Sequence, residues 1–221
     1  MKLLSLLTSF FLLSTFVSAQ ITEAKIVYEM NMTSNNPELE MQLSMMQGSK
    51  LELVFTDNKS RQNVSMGGFM STTTISDAET GETLTLMDGM MGKIAMKMNV
   101  NDVNEEEELE DESIEFEFTD ETKEILGYTC YKAVSLDDEG NESTFWYSKE
   151  IQAPKTESQY IQNQLPGMPL EFQIISQDVT MTFSATDFAS KLKKADKNFS
   201  MEIPEGYNEM TPEEMQGAFG Q

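Results

Sequence analysis

"VTMTFSA", residues 179–185, alternates one apolar and one polar side chain without a break. Successive side chains of a strand point to opposite faces, so Val179, Met181, Phe183 and Ala185 share a dry face while Thr180, Thr182 and Ser184 share a wet one. The same period-two pattern recurs along the chain. Ile26, Tyr28, Met30 and Met32 oppose Glu29 and Asn31. Leu51, Leu53 and Phe55 oppose Glu52 and Thr56, and Ile114, Phe116 and Phe118 alternate with Glu115 and Glu117. Strands with one wet and one dry face indicate antiparallel sheet, because parallel strands are buried on both faces.

Turn-forming clusters separate these runs: Asp57-Asn58, Asp77 to Gly81, Asp88-Gly89 and Asp137 to Asn141. They predict roughly nine to eleven strands joined mostly by short hairpins. Helical signal is thin, with candidates over 37–47, 157–164 and 187–194. At the C-terminus, Thr211-Pro212-Glu213-Glu214 has the N-cap, the proline and the first-turn acids of a helix start. A sheet this large must cover its dry face, and so few helices cannot do it. The expected fold is therefore mainly β: a strongly curved antiparallel sheet, a half-barrel with roughly two to four short helices and an apolar concave side.

The N-terminus predicts the address. Lys2 precedes an apolar run over 3–17, and Val17-Ser18-Ala19 offers small residues where a signal peptidase cuts. Residues 1–19 are expected to be a signal peptide and 20–221 one domain. The mature chain would then be exported, periplasmic or extracellular, with no transmembrane segment. A formal net charge of -23 argues against nucleic acid or an anionic bilayer as a partner held by charge. It leaves cations, a basic envelope protein, or neutral apolar molecules such as lipid.

Chemistry-bearing residues are sparse. The chain has no histidine and one cysteine, Cys130. An intramolecular disulfide is impossible, and a lone thiol without a base is expected to act as a small buried hydrophobe. There is no Gly-rich phosphate loop and no nucleophile elbow, so no enzyme and no cofactor is expected. The run "EEEELEDE", residues 105–112, holds seven acids in eight positions but no glycine or alternating oxygen pattern for calcium, and reads as a solvated connection.

Methionine is the compositional anomaly: there are 18, and "MDGMMGKIAMKMNV", residues 87–100, holds five of them. Thioethers suit Cu(I), which makes Met87, Met90, Met91, Met96 and Met98 a conceivable soft-metal set. The spacing nevertheless follows a strand, with Ile94, Met96, Met98 and Val100 on one face and Lys93, Lys97 and Asn99 on the other. Methionines spread over the dry sides of several strands make a deformable apolar wall. The expected lining of an apolar ligand is Met30, Met32, Met96, Met98, Phe116, Phe118, Trp146, Met181 and Phe183, with no metal ligated.

Residues 123–134, "KEILGYTCYKAV", lead through a turn to "STFWYSKEI" (143–151) and then "QLPGMPLEFQI" (164–174). This block resembles the GLPGLI family, or a sister family, of exported bacterial proteins of unknown function. The matching positions are Lys123, Gly127, Tyr128, Cys130, Lys132, Ala133, Trp146, Tyr147, Leu165, Pro166 and Gly167. A more distant likeness to the LolA-type lipoprotein carriers implies a curved half-barrel whose apolar interior accepts acyl chains. Together these features predict a non-enzymatic exported protein that holds a hydrophobic ligand. A Met-rich Cu(I)-handling protein and an acidic envelope interaction protein are the alternatives.

Overall fold

The computed structural model describes residues 20–90, 92–99, 115–137, 140–152, 154, 164–176, 178–192, 195–212 and 214–215. Their strands are β1 (Ala24–Ser34), β2 (Lys50–Phe55), β3 (Lys59–Met66), β4 (Met70–Asp77), β5 (Glu82–Gly89), β6 (Gly92–Asn99), β7 (Phe116–Ile125), β8 (Tyr128–Leu136), β9 (Glu142–Ser148), β10 (Met168–Ser176), β11 (Val179–Ala189) and β12 (Asn208–Glu209). They form one twelve-stranded sheet in the order β12-β6-β5-β4-β3-β2-β1-β11-β10-β9-β8-β7. All pairs are antiparallel except the two-residue β12, which runs parallel to β6. The alternating runs are strands where they are described, and the turn at 57–58 falls between two of them. The turn expected over 77–81 starts a residue later because Asp77 closes β4. Of 137–141, the described residues 137, 140 and 141 lie between β8 and β9. The hairpin expected at Asp88-Gly89 instead keeps both residues in β5 and turns beyond them.

The sheet is open and curved. A flat sheet would put β8 and β11 about 14 Å apart, at three strand spacings. Yet the Tyr128 ring of β8 lies 4.9 Å from that of Phe188 on β11. Tyr28 of β1 likewise donates its hydroxyl to the Pro169 carbonyl of β10 at 2.8 Å, passing over β11. Register shifts at Val27/Tyr28, Phe118/Thr122 and Pro169/Glu171 account for the bend, since bulges increase local twist. The curl is tight enough that aromatic rings fill it. Phe145 stacks on Phe172 at 6.0 Å and Phe172 on Phe183 at 4.4 Å, while Tyr28 meets the edge of Phe172 and Phe116 the edge of Phe145. Tyr28, Phe55, Phe145, Ile26, Leu53 and Leu170 are fully buried here, each contributing about 1.5–3 kcal/mol where the side chain is aliphatic or Phe. Gly167, in the Leu-Pro-Gly turn, sits so close to the Ser148 carbonyl that no Cβ fits.

Helix is scarcer than expected. α1 (Pro37–Ser44) forms where the sequence predicts it: Asn36 Oδ1 accepts the Glu38 N–H at 3.0 Å, Pro37 opens the helix and Glu38 and Glu40 lie in its first turn. The second helix in the described residues, α2 (Ala195–Asn198), is a single turn. The helix expected over 187–194 is overturned at its start, because Asp187, Phe188 and Ala189 pair with Val27, Ile26 and Lys25 of β1 and continue β11. Tertiary pairing there outweighs a weak helical pattern. The candidate over 157–164 lies outside the described residues except for Gln164, which is in a turn. Thr211 caps as the sequence suggests, and Glu214 makes the pair reciprocal: Thr211 Oγ1 accepts from Glu214 N at 3.3 Å and Glu214 Oε2 accepts from Thr211 N at 2.9 Å. Residues 1–19 and the acidic run 105–112 also lie outside the described residues. Among the described residues no helix is long and apolar enough to cross a membrane.

The dry side changes face along the sheet. In β1 and β2 it carries Ile26, Tyr28, Leu51, Leu53 and Phe55. Across the register, Leu51, Leu53 and Phe55 sit opposite Val64, Gln62 and Ser60 of β3, so one face of the sheet continues through them. In β4 to β6, however, the buried residues Ile75, Leu84 and Ala95 lie on the other face, beneath Phe199, Met201, Ile203 and Tyr207 of the C-terminal segment. The face continuous with the main core is therefore free to serve another purpose at this end of the molecule.

Candidate ligand pocket

α1 and the turn after it fold over the end of that free face. Gly67, in the β3–β4 turn, makes this approach possible: a Cβ there would lie 2.7 Å from the Met45 carbonyl oxygen and 3.1 Å from Met46 Cα. Its φ of +51° is also one that a side chain disfavours. The β5–β6 hairpin supplies a third wall. Behind it Asp88 and Lys93 pair across the hairpin at 3.0 Å, and the Lys93 ammonium lies 5.5 Å from the centre of the Tyr207 ring.

Between these walls lies a pocket of about 650 Å³. It is lined by Gln42, Met45 and Met46 from the α1 end, Met66, Phe69 and Met70 from the β3–β4 hairpin, and Met87, Gly89, Met90, Gly92 and Ile94 from the β5–β6 hairpin. No residue of the lining is charged. Among the described residues, five of the ten large hydrophobics that stand exposed line it: Met45, Met46, Phe69, Met70 and Met90. Scattered exposed apolar groups are ordinary, but a contiguous set around a concavity marks a binding surface. Its volume is within the usual range for small-molecule sites. Thioether side chains are flexible and polarisable, so a methionine wall adapts to ligands of imperfect fit.

The sequence-predicted lining is placed differently. Phe116 and Phe183 pack against Phe145 and Phe172 inside the curl, and the half-exposed Met30, Met32 and Met181 border the same face on β1 and β11. Phe118 is exposed and touches the Tyr147 ring edge-on. Trp146 points away from Tyr147, under the Lys123 ammonium at 4.3 Å from its ring centre, and Lys123 is itself paired with Glu171 at 2.6 Å. Met96 and Met98 follow Ile94 along β6, on the pocket's face but beyond its walls. None of the nine lines the methionine pocket. Of the five conceivable metal ligands, Met87 and Met90 line it, Met96 and Met98 do not, and Met91 lies outside the described residues.

Pattern reading missed Met45, Met46, Met66, Phe69 and Met70 because it searches strands for their dry face. The available signal was in the turns. "MQLSMMQG" (41–48) and "MGGFM" (66–70) put methionine and phenylalanine where a connection is normally polar.

Elsewhere the titratable groups have structural surroundings. Cys130 is buried, and that burial, opposed only in part by Lys123, pushes its thiol up to about 11. Tyr28 is raised by burial as well. Burial acts to raise the carboxyl of Asp77, but hydrogen bonds from Lys59 and from the Glu79 backbone outweigh it and hold the group below its usual value. Among the described residues no group of three or more His, Cys, Asp or Glu side chains is placed to hold a metal ion.

An open, curved antiparallel sheet with a methionine-lined end pocket defines the class of protein. The chain belongs to the DUF4412 family, a domain of unknown function, whose family model matches residues 27–203. That is the family shown; the likeness of 123–174 to GLPGLI proteins and to LolA-type carriers remains a resemblance of that block. No curated protein matches the sequence. Among solved structures, PNGF-II matches with a TM-score of 0.51 at 14% identity, over 90% of this chain and 33% of that one, so the chain spans about a third of that protein. An uncharacterized conserved protein from Thermus thermophilus matches with a TM-score of 0.50 at 7% identity, over 86% of this chain and 91% of that one. At these identities the likeness concerns the fold alone.

Proposed function

We propose that this protein is an exported, non-enzymatic binding protein that holds a hydrophobic ligand, a lipid or an acylated molecule, in the pocket between α1 and the β3–β4 and β5–β6 hairpins. The observation that carries the reading is the uncharged lining of six methionines and Phe69 around about 650 Å³ in a chain of formal charge -23. Leaving that many apolar side chains in contact with water is unfavourable unless something covers them. The signal-peptide pattern of residues 1–19 supports export. Titrating purified, delipidated protein with a fluorescent apolar probe should give saturable brightening that weakens when Met66 and Met87 are changed to Gln. Flat titrations, together with native mass spectra free of co-purified lipid, contradict the proposal.

A second reading has its own support: six thioethers, from Met45, Met46, Met66, Met70, Met87 and Met90, surround one space, and soft donors suit Cu(I). Competition against a Cu(I) chelator separates the two. A variant with these six changed to Leu keeps its apolar lining, so it should still take up the probe while losing any copper.

A further inference from the structure

Sheet register shows what continues from the pocket floor. Met66, Met70, Gly89 and Gly92 form one row across β3 to β6, and Val64, Thr72, Met87 and Ile94 form the next. Two residues further along each strand, about 6.8 Å on, lies Gln62, Thr74, Thr85 and Met96, and then Ser60, Ser76, Thr83 and Met98. All sixteen residues share one face, and none of them is charged. The ionic residues of these strands, Lys59, Arg61, Asp77, Glu82, Asp88, Lys93 and Lys97, fall on the opposite face by the same register. The segregation is complete across four strands of a chain in which 53 of 221 residues are Lys, Arg, Asp or Glu, 15 basic and 38 acidic.

The face is also graded. It is methionine-rich at the pocket end and bears hydroxyl and amide groups beyond it. Gln62, Thr72, Thr74 and Thr85 are half-buried, and among the described residues their side chains make no hydrogen bond. Thr83, by contrast, donates to Ser76 Oγ at 3.3 Å. Adjacent side chains on one face of a sheet stand about 5 Å apart, so the Gln62–Thr74–Thr85 row offers donors and acceptors side by side.

We infer that the pocket's ligand is an amphiphile with an uncharged, hydroxyl-bearing head, its apolar chain in the methionine pocket and its head on the Gln62–Thr74–Thr85 row. The inference rests on the pocket reading above and deepens it. Charge complementarity selects the head. A carboxylate or phosphate would find no cation on this face and a strongly negative protein around it. An ammonium head would leave water for a face that holds no carboxylate. Neutral hydroxyls exchange hydrogen bonds with threonine and glutamine at no such cost.

The test compares three ligands of one chain length, below their aggregation concentrations at neutral pH: monomyristoylglycerol, methyl myristate and myristate. Each displaces the fluorescent probe from wild-type protein, from Thr74→Val/Thr85→Val and from Thr74→Ser/Thr85→Ser. The wild type should prefer monomyristoylglycerol to the methyl ester by roughly tenfold, the worth of one or two hydrogen bonds, with myristate weaker than the glyceride. The valine pair should bind glyceride and ester equally while retaining its affinity for the ester, and the serine pair should restore the preference. Equal binding of glyceride and ester by wild type, or tighter binding of myristate, overturns the head-group assignment and leaves the pocket standing. Failure of all three ligands to displace the probe, or of the probe to bind, overturns the pocket reading too. If the valine pair loses the ester as well, the row shapes the pocket rather than reading the head, and the assignment fails.

Discussion

Replacing Gly67 by alanine tests how the pocket is built. Two costs follow from its surroundings. The left-handed backbone at φ +51° costs a residue with a Cβ about 1 kcal/mol. The new Cβ would also lie 2.7 Å from the Met45 carbonyl oxygen, so the turn after α1 must move away from the β3–β4 hairpin. Overpacking of that kind costs about 1–3 kcal/mol. Gly68 provides the control: its φ is +78°, and a Cβ there meets nothing within 4 Å. Gly68→Ala should therefore lose about 1 kcal/mol and Gly67→Ala about 2–4 kcal/mol in urea unfolding. Only Gly67→Ala should weaken binding of the apolar probe, because only it displaces Met45 and Met46. Equal losses of stability and unchanged probe affinity in both variants would refute the seating of α1 on the hairpin.

Other consequences concern the core and its titrations. Tyr28→Phe removes the hydroxyl that ties β1 to the buried Pro169 carbonyl and should cost about 1–2 kcal/mol in urea unfolding, whereas an unchanged midpoint would mean the bond carries nothing. The Cys130 thiol lies near 11 in the folded chain against 9.0 ordinarily, so the unfolded state releases its proton first as pH rises. That contribution is whole below about pH 9 and lost towards about pH 11, and the alkaline decline should be shallower in Cys130→Ala; identical slopes would contradict it. Asp77 behaves oppositely, because its folded value is held below 3.8. Its contribution is present above that value and lost as pH falls through the lower folded one. Asp77→Asn should cost about 1 kcal/mol at neutral pH and flatten the acid limb of the stability profile, and an unaltered limb would remove Asp77 as its source.

Much of the fold is legible in residues such as 179–185 because a half-wet strand must alternate, and alternation survives into tertiary structure. β1, β2 and β11 carry their dry sets as the pattern gives them. Curvature is less legible. It depends on extra residues at Thr186 of β11, within 119–121 of β7 and at Leu170 of β10, where the sequence has no Gly or Pro to announce one except Pro169. The pocket was hardly legible at all. Period-two reading assigns Ile94, Met96 and Met98 to one face correctly, and the register adds Met87 opposite Ile94. It cannot tell that the core in β4 to β6 lies on the other face, because Leu84 and Ala95 need the distant residues 199–207 to cover them. Nor can it see that α1 lies over the Gly67 turn, a contact between residues far apart in the chain.

The most direct test is methionine-methyl NMR of the protein, with each ε-methyl assigned by mutation, during titration with monomyristoylglycerol. The methyls of Met45, Met46, Met66, Met70, Met87 and Met90 should shift together and saturate, while those of Met30, Met32, Met168 and Met181 stay in place. Shifts confined to the latter four, or shifts scattered without saturation, would mean that the methionine pocket is not where an apolar ligand binds.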